Sequence, residues 1–301
     1  MSRPGWRARS APRRRAHHLL DAAAPAADPA AYGTDAGKAI ALDSGLPILA
    51  IPTTYAGSEM TPIYGITEGG LKKTGRDARV LPRTVIYDPD LTLSLPVGLS
   101  VTSGINAIAH AAEGLYSVDG NPVMDLMAQE GIAALGRALP AIRANMADLE
   151  ARGEALYGAW LCGVVLGNVG MALHHKLCHT LGGSFNLPHA ETHTIVLPHA
   201  LAYNAQAAPE AMRRIAAALA AKSAPQAAFD LARDNGAPVA LRELGSYPLI
   251  LPERHQAIRR RAAVFVREDH RVAVARAALG RLDLVPHEQW HVVELSNCVL
   301  P

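Results

Sequence analysis

The sequence predicts a short α/β segment followed by a larger all-α segment, with the boundary near residue 95. Two apolar runs of strand length, 46–51 and 84–88, precede that boundary. After Pro96 the pattern changes to successive Ala- and Leu-rich stretches of helical length. Because strands alternating with helices favour a parallel sheet, while consecutive helices bury a core of their own, we expect an α/β plus all-α fold.

The first predicted strand, LPILAI at 46–51, is bounded by Gly45 and Pro52 and has apolar side chains on both faces. This pattern is typical of a buried strand in a parallel sheet. A short helix is predicted over 33–45, and the turn PTTYAGSE, residues 52–59, follows the strand at once. Since ligands bind at the carboxyl ends of parallel strands, this turn is a candidate cofactor contact.

The second segment contains a series of predicted helices separated by Gly and Pro, namely 98–118, 122–147, 150–181, 194–204 and 208–234. The pair Gly182 and Gly183 is expected to end the third of them. Pro188 sets a short loop before the next apolar stretch begins at Thr194. The sequence shows no internal repeat.

Composition points to a globular protein with a sizeable core, because half of the 301 residues are hydrophobic. A net charge of +2 gives no overall attraction to nucleic acid or to a membrane surface, and no apolar run has the length of a membrane span. Three cysteines, Cys162, Cys178 and Cys298, lack CxxC spacing and cannot all pair. This usage fits a reducing cytoplasm.

The two ends of the chain differ from its middle. Residues 1–31 read as low complexity, rich in Arg, Ala and Pro, and residues after 244 have apolar side chains without a clean period. Arginine is concentrated in both ends. We assign neither end a fold.

Histidines cluster in one stretch, residues 167–204, which holds six of the thirteen in the chain. His175 and His179 lie four apart on a predicted helix, so both rings point to the same side, and His189 follows after a short loop. Asn106 and His110 have the same spacing on an earlier helix. Imidazole titrates near neutrality and is a common metal ligand, so rings that meet indicate chemistry. A lone histidine on an apolar helix is more often a packing residue, and that reading stays open.

Asn106 decides what this group is expected to bind. A carboxylate there would favour Fe²⁺ or Zn²⁺, because anionic oxygen and neutral imidazole together suit these ions. The amide brings no charge, so a divalent ion would meet neutral ligands alone. We therefore expect a site that needs no metal.

Several motifs in a fixed order resemble the iron-containing alcohol dehydrogenase family. They are IPTTYAGSE, DPDLTLSLP, GINAIAHAAEGLYS and HHKLCHTLGGSFNLPHAETHTIVLPHALAYN, and the resemblance covers about residues 35–244. It implies a Rossmann-like nucleotide-binding domain, here truncated, followed by a helical domain like that of dehydroquinate synthase. The chain then divides into a disordered or non-family N-terminal segment (1–31), a partial α/β nucleotide-binding domain (32–95), a helical catalytic domain (96–244) and a divergent C-terminal segment (245–301).

The family holds its metal through one Asp and three His, and the resemblance carries these roles over by position. Asn106 falls on the Asp, and His110, His175 and His189 fall on the three histidines. His179 matches a further histidine near the nicotinamide. The residues that match cofactor contacts are Thr53, Thr54, Gly57, Ser58 and Lys72.

The branch of the family that carries an Asn at position 106 implies a specific reaction. In that branch NADH or NADPH reduces the conjugated carbon–carbon double bond of maleylacetate to give 3-oxoadipate, during the breakdown of aromatic compounds, and metal is thought to be dispensable. His175 or His179 is then expected to supply the proton. The resemblance also implies a cytoplasmic homodimer that acts on this small molecule or a substituted analogue.

Two alternatives stay open at this point. The first is a metal-dependent alcohol dehydrogenase that uses Fe²⁺ or Zn²⁺ as Lewis acid. The second is a non-catalytic remnant, because Pro29 to Tyr32 stand where the family has its Gly-rich phosphate loop. His174, His193 and His199 are expected to be surface or packing residues, and Glu113 is expected to hold a ring or a helix end.

Overall fold

The computed structural model describes residues 29–68, 71–185, 187–244, 263–266 and 272–275. The predictions for 1–31 and 245–301 therefore lie, apart from the start of the first helix and two short strands, outside the described residues. The chain divides into two compact units after Tyr247. The functional residues considered below all lie in the first unit.

Helices dominate the described part of the chain. They are α1 (Pro29–Ser44), α2 (Val97–Gly114), α3 (Pro122–Ala144), α4 (Leu149–Asn168), α5 (Leu173–Phe185), α6 (His189–Asn204), α7 (Pro209–Ala218) and α8 (Ala224–Asp234). Single 3₁₀ turns lie at Ser58–Met60, Ala78–Val80, Pro89–Thr92 and Leu241–Leu244. The strands are β1 (Leu49–Ala50), β2 (Ile63–Glu68), β3 (Leu71–Arg76), β4 (Thr84–Val85), β5 (Ala263–Val266) and β6 (Val272–Ala275).

The strands form three separate pairs. β1 and β4 pair in parallel with Leu49 opposite Thr84, which confirms the predicted parallel arrangement. β2 and β3 form an antiparallel hairpin, as do β5 and β6. The prediction that the first strand is buried on both faces is wrong, because Leu49 is 58% exposed and pairs with β4 alone among the described residues.

The predicted helix over 150–181 is two helices. α4 ends at Asn168, Val169 adopts an extended backbone, and the axis of α5 turns by 93° from that of α4. Non-local hydrogen bonds fix this break, since Ser117 Oγ donates to Gly170 O at 2.9 Å and the first amides of α5 donate to another helix. Gly182 and Gly183 do not end α5, which continues to Phe185.

Two other boundaries differ from prediction. α6 begins at His189, with Pro188 as its N-cap, rather than at Thr194, so His189 is the first residue of a helix and not part of a loop. The predicted helix 208–234 is divided into α7 and α8 near Ala220, whose φ of 52° lies in the left-handed region.

The core is built around α2, in which every residue from Ser100 to Gly114 is buried. Small side chains such as Ala107 and Ala111 let α3, α4 and α6 pack closely around it. Arg152 of α4 is fully buried and donates to Met146 O at 2.8 Å and to Tyr55 Oη at 3.1 Å. This guanidinium fastens the segment after β1 to the helices.

Among the described residues, no single helix has the length and apolar composition to cross a membrane. One bent pair, α4 with Leu173–Gly183 of α5, meets those two criteria when its members are taken together.

Candidate active site

One face of α2 carries the first site residues. Asn106, His110 and Glu113 follow at intervals of four and three residues, so they lie along a single stripe of the helix. The helix is surrounded by other helices, and all three side chains are therefore buried. Local sequence spacing alone is enough to place them together.

The break between α4 and α5 brings the second group of site residues to this stripe. His175 stacks on His110 with ring centroids 4.8 Å apart and planes at 29°. His179, one turn later on α5, lies 6.2 Å from His175 between ring centroids. His189, the first residue of α6, lies 6.0 Å from His179. The four histidines predicted from the sequence therefore lie together, and Asn106 lies one turn before His110 on the same face of α2.

Several polar atoms in this cluster are buried and have no hydrogen-bond partner among the residues that the structure describes. They are Asn106 Oδ1, His110 Nδ1, His175 Nε2 and His193 Nε2. Leaving such an atom unpaired costs about 1–3 kcal/mol, so a ligand that accepts their lone pairs or protons is expected here. An amide oxygen and imidazole nitrogens are chemically suited to a divalent iron or zinc ion.

The buried carboxylate of Glu113 organises the start of α5. Its Oε1 accepts from His174 N at 2.7 Å, and its Oε2 accepts from Ala172 N at 2.8 Å. Oε2 also lies 2.7 Å from His175 Nδ1. Burial by itself raises the pKa of Glu113, but the hydrogen bonds from His175 and the backbone outweigh it and lower the pKa below its usual value. The expectation that Glu113 holds a ring or a helix end agrees with these contacts.

His174 and His193 are site neighbours that the sequence analysis missed. Both are fully buried, with His174 Nε2 and His193 Nδ1 2.9 Å apart. The His193 ring lies 4.8 Å from that of His175 and 4.3 Å from that of His189. A helix start at Pro188 would have placed His193 on the same face as His189, four residues earlier, so the available signal was the proline.

Cys178 lies beside this pair. Its Sγ is 3.8 Å from His174 Nε2, and the potential ligand atoms of His174, Cys178 and His193 all lie within 4.8 Å of one another. Burial raises the pKa of the Cys178 thiol, which argues against a nucleophilic role. Imidazole and thiol are both donors that zinc or iron accepts.

Burial also controls the charge of the histidines. It lowers the pKa of His110, His174 and His193 well below the usual value, and a proton on a neighbouring ring would lower each of them further. These three rings are therefore neutral near pH 7. His179 is exposed, so its ring is open to water.

The predicted cofactor turn follows the carboxyl end of β1. Thr53 is exposed and Thr54 is half-buried, so both are open to a ligand at this edge. Gly57 has a φ of 79° and packs against α4, where a Cβ on Gly57 would lie 2.9 Å from Gly163 Cα. Only glycine combines this backbone conformation with so close a contact. The backbone of Lys72 lies in β3, opposite Thr67, and its side chain lies outside the part of the structure that is described.

Lys38 contacts the same turn, and no pattern in the sequence indicates its role. Its fully buried ammonium donates to Ser58 O at 2.8 Å, to Ser58 Oγ at 3.2 Å and to Thr61 Oγ1 at 3.1 Å, and Ile63 O is a further acceptor at 2.5 Å. Burial lowers the pKa of Lys38 to about 8, although Asp35 and Glu59 raise it. Lys38, a residue of α1, thus fixes the position of Ser58 by hydrogen bonds.

Two family models match the chain. The model described as "Fe-containing alcohol dehydrogenase family, C-terminal" matches residues 100–264, and the model described as "Iron-containing alcohol dehydrogenase" matches residues 20–89. Together they span the turn after β1 and all of the site helices.

Curated and solved relatives are similar to the same region. A maleylacetate reductase of Burkholderia cepacia is 71% identical over 212 residues, which are 70% of this chain and 60% of that protein. The crystal structure of maleylacetate reductase from Agrobacterium tumefaciens superposes with a TM-score of 0.69 at 55% identity, covering 72% of this chain and 62% of the other. An iron-containing alcohol dehydrogenase from Corynebacterium glutamicum gives a TM-score of 0.69 at 51% identity, covering 71% and 60%. The chain thus spans about 60% of the length of these relatives.

The expectation that no metal is required is wrong. Both matching family models are of iron-containing enzymes, and the Corynebacterium relative carries the same description. The structure also brings nitrogen and sulfur donors of His174, Cys178 and His193 within 4.8 Å of one another, a group that could hold a metal ion. The prediction from Asn106 took into account only the charges of the side chains that would bind the ion. Glu113 places a carboxylate directly behind His175, so the site is not without negative charge.

Proposed function

Because the chain belongs to the iron-containing alcohol dehydrogenase family, we propose that it reduces maleylacetate to 3-oxoadipate with NADH or NADPH. The observation that carries this proposal is the cluster of Asn106 with four histidines in a chain that is 71% identical to a maleylacetate reductase. Residues 32–95 would be the remaining part of a Rossmann-like nucleotide domain, and 96–244 a helical domain like that of dehydroquinate synthase. A cytoplasmic location and a homodimer are further parts of the proposal.

The residues that would hold a divalent ion are Asn106, His110, His175 and His189. The buried lone pairs of the first three support this assignment, since no other group in the described residues uses them. When bound, iron or zinc supplies Lewis acidity toward a substrate oxygen. Burial keeps His110 neutral, so that its nitrogen can act as a ligand near pH 7.

NADH or NADPH supplies the hydride when it is bound at the turn after β1. Thr53 and Thr54 would contact it there, with Gly57 and Ser58 holding the turn against α4 and Lys38. Lys72 is proposed from its position in the family pattern. Hydride addition at the carbon β to the ketone leaves an enolate, which then needs a proton at the α carbon.

His179 is the proposed proton donor. Its ring is exposed and can exchange protons with water, and it lies 6.2 Å from His175 and 6.0 Å from His189 between ring centroids. His110, which burial keeps neutral, and His175, whose Nδ1 faces Glu113, are poorer candidates. His179 is thus preferred over His175, the other proton donor predicted from the sequence.

The proposal is tested by following oxidation of NADH and of NADPH by the purified chain, with and without maleylacetate, after chelation and after reloading with Fe²⁺ or Zn²⁺. Turnover that needs maleylacetate supports it. Turnover with simple alcohols and NAD⁺ alone would favour an alcohol dehydrogenase, and absence of NADH binding by fluorescence titration would favour a non-catalytic remnant. Light scattering of the same sample tests the homodimer.

A matched pair of variants tests the role of His179. His179→Gln should lower kcat at least about 100-fold with little change in the KM for NADH, because general acid catalysis contributes at least this factor. His199→Gln, on α6 and farther along the chain, should leave kcat within about twofold of the parent. An equal loss of kcat in both variants would contradict the assignment of His179 as the proton donor.

A further inference from the structure

The carboxylate of Glu113 contacts more than a helix end. It receives backbone N–H groups on both oxygens, from His174 on Oε1 and from Ala172 and His175 on Oε2, and these donors lie at and just before the start of α5. It also faces a side chain, the ring of His175, at 2.7 Å from Nδ1. The same group thus caps a helix and contacts a residue of the site.

These contacts determine where the proton of His175 lies. Backbone N–H groups can only donate, and several donors around both oxygens favour the ionised Glu113 carboxylate, which has no proton to give. The remaining contact, to His175 Nδ1, is therefore made by an N–H of the ring. In the neutral imidazole the other nitrogen, Nε2, then carries the lone pair.

The surroundings of His175 Nε2 indicate what this tautomer makes possible. Nε2 is buried, and its ring stacks on that of His110 with centroids 4.8 Å apart. Within the described part of the chain, neither His175 Nε2 nor His110 Nδ1 has a hydrogen-bond partner, and the same holds for Asn106 Oδ1, one turn before His110. These atoms belong to α2 and α5, the two helices that the hydrogen bonds of Glu113 join.

We propose that Glu113 is the positioning residue of the site: it holds His175 as the Nδ1–H tautomer, so that Nε2 keeps its lone pair within the cluster that also contains the unpartnered atoms of Asn106 and His110. The role of that lone pair as a ligand for a divalent cation rests on the proposed function. The tautomer itself does not, because it follows from contacts within the chain. Glu113 touches neither substrate nor cation and acts through His175.

The first measurement reads the tautomer directly in the metal-free chain. Nitrogen-15 labelling of histidine and long-range proton–nitrogen spectra distinguish a ring protonated on Nδ1 from one protonated on Nε2, and His175→Gln identifies the resonance. The parent should show His175 protonated on Nδ1. Glu113→Gln should move at least half of the His175 population to the Nε2–H form, because a carboxamide can present its own N–H to the ring.

The second measurement is the Zn²⁺ dissociation constant by competition with a chromophoric chelator. Glu113→Gln should weaken binding by about 10–100-fold, as expected when the outer partner of a ligand histidine is lost. Glu113→Asp keeps the charge and should lose less than Glu113→Gln, and it replaces that variant should the latter fail to fold. No substrate turnover is needed for either readout.

Thr192→Val is the matched control for lost helix-end bonding. Thr192 is fully buried and donates to Pro188 O at 2.6 Å in the first turn of α6. It should lower stability while leaving the His175 tautomer and the Zn²⁺ affinity within about twofold. The proposal is overturned if the parent shows His175 protonated on Nε2, or if Glu113→Gln matches Thr192→Val in both measurements. An inactive parent with the expected tautomer would count against the proposed function alone.

Discussion

Replacing Gly163 by alanine should destabilise the protein, although alanine is the better helix former. Gly163 lies in α4, and a Cβ there would stand 2.4 Å from Gly57 O and 3.0 Å from Gly57 Cα. Because favourable carbon contacts lie at about 3.5–4.0 Å, one of the two backbones must move by roughly 1 Å. Overpacking of this kind costs about 1–3 kcal/mol, and a backbone neighbour cannot rotate away, so we expect the upper end.

The helix propensity gained offsets about 1 kcal/mol of that cost, which leaves a net loss of about 2 kcal/mol in the free energy of unfolding. Gly153 provides the control, because it lies in the same helix and its Cβ would meet only Pro89 Cγ at 3.6 Å, an ordinary contact. Gly153→Ala should stabilise by up to about 1 kcal/mol. Urea denaturation of both variants measures the difference, and a shift of the same sign in both would refute the close-packing argument.

Three further outcomes are expected. Asn106→Asp should bind Zn²⁺ at least about tenfold more tightly by calorimetry, because it adds a charge at an unpartnered oxygen, and equal affinity would contradict this. Lys38 has a pKa of about 8 when folded and 10.5 in its reference state, so the unfolded chain binds more protons between these values. Lys38 alone should thus contribute a rise of about 1–2 kcal/mol in the free energy of unfolding from about pH 8 to about pH 9.5. The contribution is measured as the difference between the parent and Lys38→Met, which cancels the opposite contribution of the buried thiols. Burial raises the pKa of Cys162 and Cys178, so a thiol reagent should label both only in denaturant.

Local spacing predicted the parts of the site that depend on a single helix. Asn106 and His110 share a face of α2 because residues four apart on a helix always do, and the same rule paired His175 with His179. Apolar runs bounded by Gly and Pro likewise predicted the parallel pair of β1 and β4. What the sequence could not give was the extent of burial of the strands, since that depends on what packs against them.

The missed features depend on contacts between distant segments. The stretch across Val169 is free of proline, but it contains Gly167, Asn168 and Gly170, which have low helix propensity. Hydrogen bonds to Glu113 and from Ser117 fix the break there. Lys38 reads as a solvated lysine on a short helix. It is buried because oxygens of Ser58 and Thr61, some twenty residues later, surround its ammonium. No period in the sequence reports such pairings.

The contacts of Glu113 explain two wrong predictions, the unbroken helix over 150–181 and the site that needs no metal. A carboxylate inside an apolar helix is costly unless donors surround it, and here the broken end of α5 provides those donors. The break therefore stabilises the charge, and the charge lies behind His175 rather than at Asn106. A prediction that counts only the charges of residues in contact with the ion omits Glu113. The electrostatic character of the site follows from a helix end, which is why spacing alone predicted a histidine cluster but led to the wrong expectation that no metal is required.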